Sequence, residues 1–311
     1  MTDAKRLVAA GEGALIGTLV GDCVGRPYEG AGPTSTAKAA SRVERALAGA
    51  PLPYTDDTQL ALALAEHLLE VPDVDPSRLA ARILEVFEPH RGYGGGMRLL
   101  VEEWRRGSPP AEAATAVFPD GSFGNGAAMR IAPLGVRYAT DPERLEGAGL
   151  RSAELTHAHP LGRDGALAQA RAVALAAVRG RFGVEEVMAV ADGATTEELG
   201  AGLAAAGSLL LDWSGDPGAA VGTAGRRLGT DVTAPGSVPA ALWAAAAGSD
   251  PAATITLAVA LGGDVDTIAA MAGAIRTTAD GPRAMPEAWL AACEGAEYVA
   301  AVGRRIGEAA S

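Results

Sequence analysis

The sequence predicts an all-α fold in a single domain, residues 1–311, on three observations. Apolar residues recur at helical spacing along most of the chain. No segment shows a convincing two-residue alternation of the kind a half-buried strand needs. Glycine and proline punctuate the chain throughout, yet no long polar linker divides it. With 311 residues, 48% of them hydrophobic, there is ample material for a sizeable core.

"SRLAARILEVFEPH" sets Leu79, Ile83, Leu84 and Phe87 on one stripe. "DGALAQARAVALAAVRG" puts Leu167, Ala170, Ala174 and Val178 on one face and stops at Gly180, a glycine placed to end a helix. Thr195 and Glu198 stand at capping-box spacing before the next apolar run. Residues 200–250 are rich in alanine and glycine, but Leu209, Leu210, Leu211, Trp213 and Trp243 anchor them, so order is expected there. "ATITLAVAL" is the best strand candidate; it stands among helices and fits a buried helix as well. "PEAWLAACEGAEYVAAVGRRIGEAA" reads as one terminal amphipathic helix with Pro286 near its start. The total comes to about ten or more helices of ordinary length.

The net charge is −12, and an acidic surface repels phosphate backbones, so non-specific nucleic-acid binding is not expected. Cys23 and Cys293 form neither a disulfide framework nor a zinc pattern, and reduced thiols in a cytoplasm are the simplest reading. The opening "MTDAKRLVAAGEGALIG" carries Glu12 inside a short apolar run and is not expected to act as a signal peptide. No stretch reaches the roughly 18 uninterrupted apolar residues of a membrane span. A soluble, cytoplasmic protein without a membrane partner is the expectation.

Two segments carry paired acids. "YTDDT" sets Asp56 and Asp57 side by side before an apolar helix, and "LGGDVDTIAAMAGAI" sets Asp264 and Asp266 two apart, with Thr267 next. Helix capping explains any one such acid, but capping uses one side chain per helix end. Clustered carboxylates before buried helices stay ionised cheaply only with a cation among them. Helix-end dipoles oppose a cation by about 0.3–1 kcal/mol each, whereas one charge pair at 4 Å gives about 4 kcal/mol at an effective dielectric near 20. The ligands are all oxygen, which selects a hard cation such as Mg²⁺ or Mn²⁺. His67, His90, His157 and His159 do not pair with cysteine, so zinc is disfavoured.

Three glycine-rich stretches read as ligand loops: "GDCVGRPYEG", "RGYGGGM" and "GSFGNGAAMR". In the last, Gly121, Gly124 and Gly126 free backbone amides ahead of an apolar, helical stretch, the arrangement of an anion site. Of four Phe, four Trp and five Tyr, Tyr28, Tyr54, Tyr93 and Phe123 lie in or beside these motifs, where rings suit stacking on a base or sugar. The plainer alternative for Phe123 is packing under its own loop. Glu29 follows Tyr28 in a glycine-bounded loop; it reads either as a movable acid over the metal site or as a solvated surface acid.

In this order, "GDCVGRPYEG", "YTDDT", "RGYGGGM", "GSFGNGAAMR", "LTHAHPLGRDGA" and "GGDVDTIAAMAGAI" resemble the ADP-ribosylhydrolase family, which includes the dinitrogenase-reductase-activating glycohydrolase. The Tyr-Glu after GDCVG, the RGYG loop and the GSFGNG run most resemble the ADP-ribosylserine hydrolase branch. The resemblance implies a compact all-α fold around two Mg²⁺ ions, with Mn²⁺ as the alternative, and a cleft for ADP-ribose on a modified protein or peptide. Carried over, one ion takes Thr55, Asp56, Asp57 and Asp266. The other takes Asp264, Asp266 and Thr267, with Glu29 approaching and Asp266 bridging. Glu29, Asp57 and Asp266 are the implied catalytic groups.

By the same resemblance, the loop from Ser122 through Gly124 to Gly126 would hold the diphosphate through backbone amides, with Asn125 nearby. Phe123 would line the distal ribose and adenine, His157 and Leu161 would line the same cleft, and Gly92, Tyr93, Gly94 and Gly96 would shape the proximal side. Val265 stands where the family often has threonine, and "HAHPLGRDGA" departs from its pattern on the leaving-group side. The implied reaction is hydrolysis of serine-linked ADP-ribose, with polymers of ADP-ribose and O-acetyl-ADP-ribose as further candidates. The alternatives are an arginine-linkage hydrolase, a non-catalytic ADP-ribose-binding protein and a Mg²⁺-dependent phosphohydrolase.

Overall fold

In a computed structural model, which describes residues 3–212 and 217–310, the chain folds into eighteen α-helices and three short 3₁₀ turns. No strand occurs among the described residues; two isolated bridges, Leu52 with Cys293 and Gly124 with Thr233, are the only β pairing. The "ATITLAVAL" segment is helical, within Pro251–Leu261. Trp213 lies outside the described residues.

Helix starts follow local chemistry. Asp75, Asp141 and Asp250 each accept hydrogen bonds from first-turn amides, and each is followed by a proline at the first helical position. The acid satisfies orphan amides, and the ring presets φ. Gly180 ends the Pro160–Arg179 helix in the left-handed conformation, φ 62°. The capping box expected at Thr195 gives way to another device. Thr196 is the N-cap, and the amides of Thr195 and Thr196 both donate to Asp164, a buried acid on a different helix. The terminal amphipathic helix is broken in two, Glu287–Ala291 and Ala296–Ala310. The chain opens between them because the Leu52 amide takes Ala292 O (2.8 Å) and the Glu294 amide takes Leu52 O (2.9 Å).

Buried residues from Leu7 to Ile306 form one contiguous core. Its axis is the Asp3–Gly25 helix, packed on Val265–Asp280 and Ala296–Ala310. By length and composition the segment Asp3–Tyr28 could cross a membrane, but 83% of its most apolar window is buried by the neighbouring helices. Small residues set that packing distance. A methyl on Gly17 would overlap the Gly273 carbonyl, and one on Gly25 would lie 2.6 Å from Asp266 Cα. The close approach brings the "GDCVG" end of one helix against the acidic start of the other, which is where the site forms.

Candidate metal centre and ligand cleft

Two helix starts converge. Thr55 caps the Asp56–Glu70 helix by accepting from the Asp57 amide, and its hydroxyl donates to Asp57 Oδ2 at 3.1 Å. From the Val265–Asp280 helix, Thr267 Oγ1 approaches the same Oδ2 at 3.5 Å. Asp264 occupies the N-cap position but makes no capping bond; its Oδ2 instead accepts from Asn125 Nδ2 at 2.6 Å. Asp56 and Asp57 lie inside the first turn, and the cap there is the threonine. Capping therefore does not account for Asp56, Asp57 or Asp264. One ligand atom from each of Glu29, Asp264 and Asp266 lies within 4.8 Å of the other two, with Glu29 exposed and the aspartates buried.

A residue that the sequence motifs left without a role organises the first of these helix starts. Asp22, wholly buried, accepts from the amides of Thr55 (2.9 Å) and Thr58 (3.1 Å) and from the Thr58 hydroxyl (2.6 Å). It pins the Thr55–Thr58 turn to the central helix. Its signal was a lone carboxylate in the apolar run "ALIGTLVGDCVG". From the other side, Arg91 Nη1 donates to Tyr54 O at 3.1 Å, its guanidinium lies 4.0 Å over the Tyr54 ring, and Glu294 holds it at 2.8 and 2.9 Å. At the second helix start Gly263 has φ 80°, and a methyl there would overlap Thr230 O.

The electrostatics favour a cation. Burial, then the neighbouring Asp22, pushes the Asp56 carboxyl up to about 7. Burial, then Asp264 beside it, pushes Asp266 up to about 9. Burial, Asp22 and Asp266 hold Asp57 well above the usual carboxylate range. Asp57 Oδ1 is buried with no hydrogen-bond partner. An orphaned carboxylate oxygen among like charges fits an oxygen-liganded hard cation.

The sign of the pH dependence follows. Below about pH 4 the carboxyls are protonated in the folded and unfolded chain alike. At higher pH the unfolded chain ionises them while the folded chain resists, so the folded state holds more protons and stability falls. In EDTA the melting temperature is therefore expected to fall between about pH 5 and 9, and added Mg²⁺ to stabilise more as pH rises, because it replaces those protons. A metal-free melting temperature that stays flat or climbs across this range would contradict the reading.

The acids lie in a cavity of 470 Å³, large enough for a small-molecule ligand. Gly92, Gly94, Gly96, Ser122, Gly124, Asn125, Gly126 and His157 line it together with the metal-site residues. Gly92 (φ 93°) stands against Asp56; a methyl there would lie 3.4 Å from Asp56 Oδ1.

Several of the expected ligand groups are engaged by the protein itself. Tyr93 does not offer its ring to the cleft: it is buried against Phe87 at 4.5 Å, and its hydroxyl donates to Gln59 Oε1 at 2.6 Å. Tyr28 and Tyr54 are likewise engaged, by Arg42 O and by Arg91. Asn125 acts as a strut within the site. Its backbone N–H goes to Val232 O (3.0 Å), and its side chain joins Asp264 to Ser237 Oγ. Phe123 and Leu161 both meet His159 beside the glycine turn. Phe123 is exposed with its ring 5.3 Å from His159, and the Leu161 amide donates to His159 Nδ1. The helix expected after the glycine turn is a single turn, Gly126–Met129.

A family profile described as ADP-ribosylglycohydrolase matches residues 4–311. The chain belongs to the ADP-ribosylglycohydrolase family. It is a glycohydrolase, and its all-helical architecture is that of the family. It is 33% identical to mouse ADP-ribosylhydrolase ARH3 over 94% of this chain and 90% of the mouse protein. To the human ADP-ribosylhydrolase ARH3 it is 33% identical over 94% and 92% of the two chains. The ADP-ribosyl-[dinitrogen reductase] glycohydrolase of Rhodospirillum rubrum is 31% identical over 52% of this chain and 55% of that protein. A solved structure described as an ADP-ribosylglycohydrolase-related protein complex superposes with a TM-score of 0.74 at 27% identity, covering 99% of this chain and 100% of that one.

Proposed function

We propose that this protein hydrolyses the bond between C1″ of ADP-ribose and a serine hydroxyl of a modified protein, with two Mg²⁺ ions in the acidic centre. The observation that carries the reading is the meeting of the two acidic helix starts, Asp57 Oδ2 facing Thr267 Oγ1, inside a cleft that ends at the glycine turn. The serine linkage is supported by the Tyr28-Glu29, RGYG and GSFGNG motifs and by the identity with the ARH3 proteins.

Thr55, Asp56 and Asp57 would hold one ion and Asp264 and Thr267 the other, with Asp266 between them. When bound, the ions would supply Lewis acidity and fix the vicinal ribose hydroxyls. The chain's own groups supply the rest. Glu29 is solvent-exposed yet within 4.8 Å of Asp264 and Asp266, so it can exchange a proton at the reacting end of the cleft while staying in contact with water. The buried carboxylates present negative charge where an oxocarbenium-like ribose would develop positive charge. Asn125, tied to Asp264, keeps the acidic centre in register with the glycine turn that faces the diphosphate. We place the protein in the cytoplasm, where the free thiols of Cys23 and Cys293 would stay reduced.

The test is to incubate the protein with peptides ADP-ribosylated on serine or on arginine, with Mg²⁺ or with EDTA. Free ADP-ribose released from the serine peptide only with Mg²⁺ is expected. Release from the arginine peptide alone would reassign the linkage. Release of AMP would make the protein a phosphohydrolase, binding without release would make it a reader, and full turnover in EDTA would exclude the metal.

A further inference from the structure

The diphosphate end of the cleft lacks an evident source of positive charge. The helix after the glycine turn has only four residues, too few for a useful dipole. The amides of Asn125 and Gly124 are committed, to Val232 O and Ser122 Oγ. At the other end the lining carries five acids and one exposed arginine, Arg26, close in sequence to Glu29 rather than to the glycine turn.

Behind the turn lies Arg130. It is 1% exposed, and no carboxylate pairs with it among the described residues. Nη1 donates to Gly126 O (3.1 Å), while Nη2 donates to Ser152 O (2.7 Å) and Thr156 Oγ1 (2.9 Å); Nε is buried without a partner. A buried guanidinium without a counter-ion is costly unless an anion arrives to face it. Burial lowers its affinity for the proton to about 10, which leaves it charged at neutral pH.

The contacts also fix a proton. Arginine only donates, so Thr156 Oγ1 accepts from it and has its own hydrogen free. Among the described contacts the one acceptor open to that hydrogen is His157 Nδ1, at 2.7 Å, and donation to it leaves no hydroxyl hydrogen unpaired. An imidazole that accepts at Nδ1 carries its hydrogen on Nε2. Nε2 faces the glycine turn: methyls on Gly126 and Gly124 would lie 3.1 and 3.3 Å from it. Burial first, and Arg130 second, keep this ring neutral, pushing it down to about 3.

We infer that Arg130 and Thr156 are positioning residues for a diphosphate: Arg130 supplies the buried positive charge behind the glycine turn, and through Thr156 it locks His157 as the tautomer whose Nε2–H points into the cleft. The inference rests on reading the cleft as an ADP-ribose site, and it makes charge, not only loop shape, the source of selectivity for the anionic ligand.

Calorimetry with ADP-ribose, with adenosine as an uncharged control and with inorganic pyrophosphate in metal-free buffer, tests the charge. ¹⁵N NMR of the His157 ring tests the proton. In Arg130→Met, ADP-ribose and pyrophosphate should bind tenfold or more weakly, the scale of a hydrogen bond to a charged group, with adenosine unchanged and Arg130→Lys recovering part of the loss. Thr156→Val should lose the Nε2–H signature and weaken ADP-ribose binding about tenfold, and Thr156→Ser should restore both. Equal losses for ADP-ribose and adenosine in folded variants, or a His157 tautomer unchanged in Thr156→Val, would overturn the inference. If the wild-type protein fails to bind ADP-ribose, the proposed function falls; the tautomer and the pyrophosphate comparison still decide this inference.

Discussion

Replacing Asp266 with asparagine is expected to stop turnover and, at the same time, to stabilise the metal-free protein. Asp266 is 5% exposed, and Asp264, Asp22 and Glu29 add negative charge around a carboxyl already raised by burial. Its one backbone bond, from the Thr267 amide to Oδ1 at 3.1 Å, can be kept by an amide oxygen. The substitution therefore removes charge without removing shape. Without metal that charge is a liability, and its removal should raise stability by about 0.5–2 kcal/mol, the usual scale for relieving a functional compromise. With Mg²⁺ the sign reverses, because the ligand proposed to bridge both ions is gone. Loss of several kcal/mol of metal-derived stabilisation corresponds to a fall in kcat/KM of about a thousandfold or more. Kinetics on serine-linked peptide, Mg²⁺ calorimetry and melting in EDTA measure the three parts. Normal turnover would take Asp266 out of the metal site, and a lower metal-free melting temperature would mean that its charge is structural.

The features legible in the sequence were the local ones. The spacing of Leu79 and Ile83 marks a helix and Gly180 ends one because each acts over its own turn, so the all-α class could be read segment by segment. The acidic pairs were legible for the same reason: more carboxylates stood before each helix than capping can use. Contacts between distant residues left little trace. Asp22 reaches Thr55 and Thr58 from another helix, and Arg91 pairs with Glu294 across most of the chain. The break at 292–295 depends on Leu52, so the helical spacing of the terminal segment concealed it. Tyr93 looked available because its neighbours are glycines, but Phe87 and Gln59, which occupy its ring and hydroxyl, arrive from other elements. The Arg130–Thr156–His157 relay joins the end of one motif to the start of another, and neither motif alone suggests it.

Asp22→Ala is expected to be among the most damaging substitutions outside the metal ligands, and a twin of Asp22 elsewhere in the fold separates its two effects. Asp22 accepts from the Thr55 amide, the Thr58 amide and the Thr58 hydroxyl, all buried. Leaving each unpaired costs about 1–3 kcal/mol, so a loss of at least about 3 kcal/mol follows, a large part of a total of about 5–15 kcal/mol. Asp164 performs the same task away from the acidic centre and off the cavity wall, accepting from the amides of Thr195 and Thr196 and from the Thr196 hydroxyl. Asp164→Ala should therefore destabilise to a similar degree while leaving Mg²⁺ affinity and kcat of the folded fraction unchanged. At Asp22 the function should fall as well. Its charge is the second cause, after burial, of the raised proton affinity of Asp56 and Asp57, and so contributes to the negative potential that draws a cation. Asp22→Asn, which keeps the shape and one acceptor, should fold and still bind Mg²⁺ about 10–100-fold more weakly, the scale seen when support around a metal ligand is lost. Melting curves and Mg²⁺ calorimetry on the three variants settle the matter. If Asp22→Asn binds Mg²⁺ as the wild type does, Asp22 is only a helix cap, and the coupling of the central helix to the metal site is absent.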